Sequence, residues 1–238
     1  MSNSLKVLTW NLERHRMTSP KGSLATDYLF ALEPDLMFLT ETRTDFPQKN
    51  GFTAFGTNPG SYFEATECKI AIWSKYPLEE FDTIGDPDLP PHRYLSALVI
   101  TPIGKIRVIC ICIPWHMANV RDKQNKKKPW QSHIDYLEIL PTIVRKFAEP
   151  LIIAGDFNQR IPRVKYGNIK AADAIQKCFQ ELDMDIVTKG IIDGVNKPGI
   201  DHIAISRHLR SDKVFGWSNV VDGKTVSDHD GAGCELSI

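Results

Sequence analysis

Neither sign of charge predominates: 29 lysines and arginines face 29 aspartates and glutamates. The molecule as a whole has no field that would draw in a polyanion, so any such attraction must come from local clusters. The five cysteines are odd in number and include no CxxC spacing, which argues against both a disulfide framework and a structural zinc site. A reducing compartment suits that usage. No apolar stretch approaches the ~20 residues needed to span a bilayer, and no cationic segment leads into an apolar signal core at the N-terminus. The expectation is a soluble, cytoplasmic protein with no stable membrane association. Linkers, internal repeats and low-complexity tracts are missing too, so residues 1–238 are read as one domain. A chain of this length buries roughly 70 to 75% of the surface its unfolded form exposes and needs no covalent staples.

What is present is a series of short β-rich runs. Leu5 to Thr9 reads as a strand ending at Trp10-Asn11, and Leu36 to Leu39 as a buried strand whose end delivers Thr40 and Glu41. Ile70 to Trp73, Tyr94 to Ile100 and Ile106 to Ile113 follow, the last two joined as a hairpin through Pro102-Ile103-Gly104. Leu151 to Ala154 opens onto Asp156-Phe157-Asn158, and Ile200 to Ile205 and Val214 to Trp217 lead to a final turn at Ser227-Asp228-His229. Helical periodicity is confined to Leu24–Leu32, to about Ser132–Phe147 (where Pro141 should kink or split the helix) and to about Ala171–Leu182. Strands outnumber helices, a pattern that suits sheets packed on each other with helices outside. Related half-motifs at strand ends hint at pseudo-symmetry.

The polar residues carry the information. Asn11, Glu41, His116, Asp156, Asn158, Asp201, Asp228 and His229 each stand at or just past the end of an apolar strand. Strand ends that meet at one rim would bring them together, where rigid scaffolds place catalytic groups. Carboxylate and amide oxygens suit a hard cation such as Mg²⁺ or Mn²⁺, and imidazoles supply proton transfer and phosphate contacts. Taken singly, Asn11 could cap a turn and Asp156 to Asn158 could be an ordinary Asx-turn.

Five segments in order, LTWNLE (Leu8 to Glu13), FLTETR (Phe38 to Arg43), IAGDFN (Ile153 to Asn158), GIDHI (Gly199 to Ile203) and SDHD (Ser227 to Asp230), resemble the motifs of the endonuclease/exonuclease/phosphatase superfamily. That group includes DNase I-like nucleases, AP endonucleases, sphingomyelinases and inositol polyphosphate 5-phosphatases. The resemblance implies a four-layered α/β/β/α sandwich, two packed β-sheets flanked by helices, with the active site at one rim. It further implies that Glu41 is the main metal ligand with Asn11 and Asp228 nearby, and that Asp156 positions or deprotonates water with Asn158 orienting it. His229, paired with Asp201, would bind the scissile phosphate or act as base, and His116 would contact phosphate or leaving group. Which residue is the base stays open. Beside a metal Asp156 should have a lowered pKa, whereas His229 near phosphate could titrate near neutrality.

The leading expectation is an Mg²⁺-dependent nuclease (Mn²⁺ being the other candidate ion) acting on DNA or RNA. Its support is a basic stretch of Arg121, Lys123, Lys126, Lys127 and Lys128 flanked by Trp115 and Trp130. Arg160, Arg163, Lys165 and Lys170 could add backbone contacts or be ordinary solvated charges. Glu13, two residues after Asn11, could assist the metal as in some members of the superfamily it resembles or be a surface carboxylate, and Arg43, beside Glu41, could steer phosphate or pair with a neighbouring acid. The IPWH segment (Ile113 to His116) lacks the AP-endonuclease tyrosine, Thr40 stands where many such enzymes have glutamine, and no tryptophan precedes Asp201. A phosphatase or phospholipase C-type hydrolase of inositol phosphates or sphingomyelin is the alternative. A catalytically dead binding module is disfavoured, because every expected ligand position has a candidate. A recruiting protein partner is compatible with the neutral chain.

Overall fold

The structure is a computed structural model and describes residues 4–44, 51–57, 64, 66–163 and 166–238. Two six-stranded mixed sheets pack face to face with helices on their outer sides, giving the α/β/β/α sandwich of DNase I-like proteins. Sheet A has the order β11-β14-β1-β2-β4-β3 and sheet B the order β5-β6-β7-β8-β10-β9. In sheet A the strands are β1 (Leu5–Asn11), β2 (Leu36–Arg43), β3 (Thr53–Gly56), β4 (Glu67–Ser74), β11 (Arg210–Trp217) and β14 (Gly231–Ser237). Sheet B is built from β5 (Leu78–Asp82), β6 (Tyr94–Thr101), β7 (Gly104–Cys112), β8 (Leu151–Asp156), β9 (Met184–Ile186) and β10 (Asp201–Ser206). Short strands β12 (Val220–Val221) and β13 (Lys224–Thr225) pair apart from both sheets.

The central strands read as continuous apolar runs because both of their faces are covered. Along β1 and β2, Leu5, Val7, Leu36 and Phe38 point between the sheets, where they meet Val108, Cys110, Ile152, Ala154 and Ile203. The alternate residues Leu8, Trp10, Met37 and Leu39 face outward against Ala25 and Leu29 of α1 (Pro20–Ala31). Sheet B is covered in the same way by α2 (Gln131–Val144) and α3 (Ile169–Glu181), through Tyr136, Leu140, Ile175 and Phe179. Each large apolar side chain so buried contributes roughly 1.5–3 kcal/mol. All five cysteines are buried within these layers. Among the described residues, no helix is long and apolar enough to cross a membrane.

Ser19 caps α1, its hydroxyl accepting from the Gly22 N–H at 3.1 Å, and Pro20 fills the first helical position. The helix expected to be kinked or split at Pro141 is not split. Pro141 lies in the last turn of α2, where its missing N–H removes a single ladder bond. The pseudo-symmetry is explicit in the pairings. Parallel pair β1–β2 in sheet A has its counterpart in parallel pair β7–β8 in sheet B, and β14 and β10 run antiparallel to β1 and β8.

Strand β14 was not expected, since its sequence is glycine-rich and glycine weakens isolated strands. The glycines are there for their neighbours: a Cβ on Gly231 would lie 2.1 Å from the Trp217 ring, and one on Gly233 would lie 2.6 Å from Leu8. Trp217 is buried and stands edge-on to Trp10 at 5.6 Å, so it has little room to retreat. Gly231→Ala is expected to lower stability by about 1–3 kcal/mol, read as a lower urea midpoint at unchanged m-value. An unchanged midpoint would show that the Trp217 ring moves freely.

Candidate active site

Sheet pairing decides what meets at the rim. The ends of β1, β2, β7 and β8 lie beside the starts of their antiparallel neighbours β4, β6 and β10. Asp201, the first residue of β10, is therefore the direct partner of Asp156, the last of β8, while Thr40, next to Glu41, is paired to Asn11. A cleft of about 530 Å³ opens there, lined by Asn11, Glu41, Asp156, Asn158, Asp228 and His229 from the sequence motifs. It is also lined by Arg14, Glu67, Cys68, Lys69, Pro91, His92, Arg93 and Trp115.

The GDFN turn is built around Asp156. Gly155 has φ +138°, and a Cβ there would lie 2.0 Å from the Ile111 carbonyl oxygen, so only glycine lets β7 and β8 stay paired. Asp156 Oδ1 accepts from the Asn158 backbone N–H at 2.8 Å and Oδ2 from Asn158 Nδ2 at 2.8 Å. The Asn158 amide also donates to the Ile113 carbonyl at 3.0 Å. The Asx-turn is present, and within it Asn158 aims the carboxylate of Asp156 towards the cleft from a left-handed backbone at φ 52°. Burial pushes the Asp156 carboxyl up, against the lowering pull of His229, the Asn158 N–H and Lys69. That is the direction for the protein without an ion, opposite to the one expected beside a metal.

The SDHD turn is tied to β1. The Ser227 hydroxyl, fully buried, donates to the Asn11 carbonyl at 2.7 Å and accepts from the His229 N–H at 3.0 Å, while the Trp10 indole N–H donates to the His229 carbonyl at 2.8 Å. The imidazole so placed reaches across to sheet B, with Nδ1 at 2.5 Å from Asp201 Oδ2 and Nε2 at 3.7 Å from Asp228 Oδ1. Desolvation opposes a charge on His229, but Asp201, Asp156 and Asp228 together draw its pKa up to about 10. Burial pushes Asp201 up in turn, opposed by His229. The imidazole's direction governs the pair, because three carboxylates surround one ring. The bond between the two is best described as carboxylate to imidazolium.

Glu41 sits within β2 rather than beyond its end, at φ 43°, a left-handed conformation that non-glycine residues adopt rarely. Its Oε1 accepts from Lys69 Nζ at 2.5 Å and lies 3.0 Å from Arg14 Nη2. Burial alone would raise this carboxyl, but Lys69 and Arg14 outweigh it and hold it below the ordinary glutamate range. Asn11 Oδ1 accepts from the Glu13 N–H at 2.9 Å, which fixes its amide.

The donor chemistry fits a hard divalent ion: Asn11, Glu41 and Asp228 present oxygens to the cleft, and Glu41 already attracts two cationic side chains. Among the described residues, the ligand atoms of Asp156, Asp201 and His229 also lie within 4.8 Å of one another, although two of these groups are bonded to each other. The cysteines make poor ligands, burial pushing the Cys112 thiol up to about 11.

His116 is brought beside this group rather than into its lining. Its ring lies 4.9 Å from Trp115, 5.6 Å from Trp130 and 6.2 Å from Tyr166. Arg43 takes its structural reading: it is buried and pairs with Glu64 at 2.6 Å and Glu67 at 3.3 Å. Glu13 lies 3.4 Å from His15 at the surface. In the basic stretch Lys127 bonds Asp135 at 2.6 Å, while Arg121, Lys123, Lys126 and Lys128 are exposed. Arg163 and Lys170 are exposed as well, and Lys165 lies outside the described residues. Sequence reading missed Lys69, Arg93, Arg14 and Tyr166 as site residues. Lys69 and Arg93 stand at strand starts, and only the antiparallel register shows that those starts share the rim.

Residues 8–229 match the family described as Endonuclease/Exonuclease/phosphatase family. The chain belongs to this family. Among solved structures it resembles an AP endonuclease from Archaeoglobus fulgidus (18% identity, 97% of this chain and 98% of that one, TM-score 0.72). A humanized D. rerio TDP2 carrying 14 mutations is similar at 17% identity over all of both chains, TM-score 0.70. The Neisseria 3′ phosphatase NExo bound to a product DNA hairpin is similar at 18% identity, with 98% of this chain and 100% of that one covered and a TM-score of 0.71. At these identities the likeness shows the fold. No curated protein matches the sequence.

The loop carrying Trp115 and His116 is anchored by His133 of α2, buried with Nδ1 at 3.0 Å from the Pro114 carbonyl. Burial pushes the pKa of His133 down to about 4, so the folded protein holds it neutral. The unfolded chain takes up this proton below about pH 6.5, and the folded chain only near 4. Stability from this group is therefore complete above pH 6.5 and is lost as pH falls towards 4, at up to about 1 kcal/mol per pH unit. His202, buried and also pushed down to about 4, adds the same slope. In His133→Asn, urea unfolding between pH 4 and 6.5 should lose the His133 part of the slope and keep the rest. Parallel curves for the two proteins would contradict the assignment.

Proposed function

We propose that this chain is a divalent-metal-dependent phosphodiesterase, and specifically a nuclease that hydrolyses DNA or RNA by in-line attack of water. The observation that carries the reading is the convergence of Asp156, Asp201 and His229, their ligand atoms within 4.8 Å of one another at the rim that also holds Glu41. Glu41, with Asn11 and Asp228, would hold Mg²⁺ or Mn²⁺, which when bound supplies Lewis-acid stabilisation of the phosphoryl oxygens.

Roles for the chain's own groups follow from their environments. Asp156, whose two carboxylate oxygens are fixed by the Asn158 backbone N–H and side-chain amide at 2.8 Å each, is oriented to take a proton from water. An imidazole kept charged by Asp201 suits His229 to hold the scissile phosphate and the charge that develops on it. Arg93, whose Nη1 donates to the Cys112 carbonyl at 3.0 Å, lines the cleft beside Lys69 and Arg14 as a further cation for phosphate. His116 would serve the leaving-group side. Nucleic acid is favoured by the exposed Trp115 in the cleft lining, with Arg121 in the hollow on its other side, and by structural neighbours described as an AP endonuclease and a phosphatase bound to a DNA hairpin. We take residues 1–238 to act as one domain and the protein to work in the cytoplasm.

The test is hydrolysis of single-stranded and duplex DNA, RNA, sphingomyelin and inositol phosphates with Mg²⁺, Mn²⁺ or chelator. Nucleic-acid cleavage is expected, abolished by chelator and reduced about 10²–10⁴-fold in Asp156→Asn and His229→Ala. Turnover of inositol phosphates or sphingomyelin alone would replace the substrate assignment. Full cleavage in chelator would refute the metal.

A further inference from the structure

Trp115 is 48% exposed and belongs to two depressions at once. On one side it lines the cleft with Asp156, Asn158 and His229. On the other it borders a hollow of about 420 Å³ formed with Met117, Asn119, Arg121 and Asp122. An apolar ring of this size on the edge of a charged cleft leaves considerable apolar surface in water.

The ring is also held from behind. It stands edge-on to His116, at 79° between planes, and His116 leans on Trp130 and Tyr166. Trp130 in turn meets His133 at 5.2 Å, and His133 holds the Pro114 carbonyl. The Ala118 N–H donates to the Trp115 carbonyl at 3.0 Å. A ring fixed in this way loses little rotamer entropy when something stacks on it. The ligand class that matches a flat apolar face beside a phosphate-binding cleft and a guanidinium is a nucleotide with its base unpaired.

We propose that Trp115 is a base-stacking subsite. It takes the nucleobase next to the scissile phosphate, the hollow at Arg121 receives the adjoining nucleotide, and the preferred substrate is a single strand or a frayed end. A base inside an intact duplex already has both faces stacked and cannot use the platform. This inference rests on the nuclease reading above, yet it can be separated from it because stacking needs no catalysis.

The experiment measures binding in chelator, by anisotropy of a labelled oligothymidylate, of the same strand with abasic residues, and of a blunt duplex. Trp115→Ala should weaken binding of the base-bearing strand on the order of 10-fold, and Trp115→Phe should restore most of it. The abasic strand should bind wild type and Trp115→Ala alike. With Mg²⁺ present, the loss should fall on KM rather than kcat. If binding follows this pattern but no strand is cut, the subsite stands and the nuclease reading falls. If strands are cut and Trp115→Ala leaves Kd and KM unchanged, the subsite falls and the nuclease reading stands. Duplex bound as tightly as single strand, with the same dependence on Trp115, would overturn the preference for unpaired bases. Absence of both binding and cleavage would overturn both readings.

Discussion

The bond between His229 Nδ1 and Asp201 Oδ2, 2.5 Å long, joins a turn anchored on one sheet to the first residue of a strand in the other. Its partners come from the two halves of the sandwich, whose facing sides are packed largely with apolar side chains. The charge on the imidazole follows from this contact, since an isolated buried histidine such as His133 is pushed the opposite way, down to about 4. Burial is similar in kind for the two residues, and the carboxylates around His229 decide the sign. The imidazole thus stays charged beside the buried Asp156, in a cleft that Lys69, Arg14 and Arg93 also line.

Around that bond, each motif residue without direct chemistry has a positioning task. Ser227 joins Asn11 to His229 through one buried hydroxyl, Gly155 keeps β7 and β8 in register, and Asn158 uses its amide on Asp156. The left-handed backbone at Glu41 and Asn158 is held by neighbours on both sides, which is how a site keeps conformations that the chain alone disfavours. Pre-set dipoles and charges of this kind need no rearrangement when charge develops on a phosphate.

Much of this was legible in the sequence, because the strands that carry the motifs are buried on both faces and write long apolar runs. Leu36 to Leu39 and Leu151 to Ala154 are read without ambiguity, and the polar residue that follows each is conspicuous. Edge and half-exposed strands such as β3, β5 and β9 carry no such pattern, and β14 hides behind the glycines that Trp217 and Leu8 require. The site shows the same division. Asp156, Asp201 and His229 were named at strand ends, whereas Lys69 and Arg93 reach the cleft only through antiparallel pairing, and no local pattern encodes the register. The aromatic nest around His116 was equally hidden, since Tyr166 arrives from a different loop.

The central claim is that groups from the two sheets act as one catalytic unit. A double-mutant cycle on Asp156 and His229 tests it directly, with kcat/KM measured for the phosphodiester that wild type cleaves best. If the residues work together, Asp156→Asn with His229→Asn should be about as impaired as the worse single variant, as expected for parts of one machine. Losses that multiply, each variant acting as if the other residue were intact, would mean that the two sheets do not share a site.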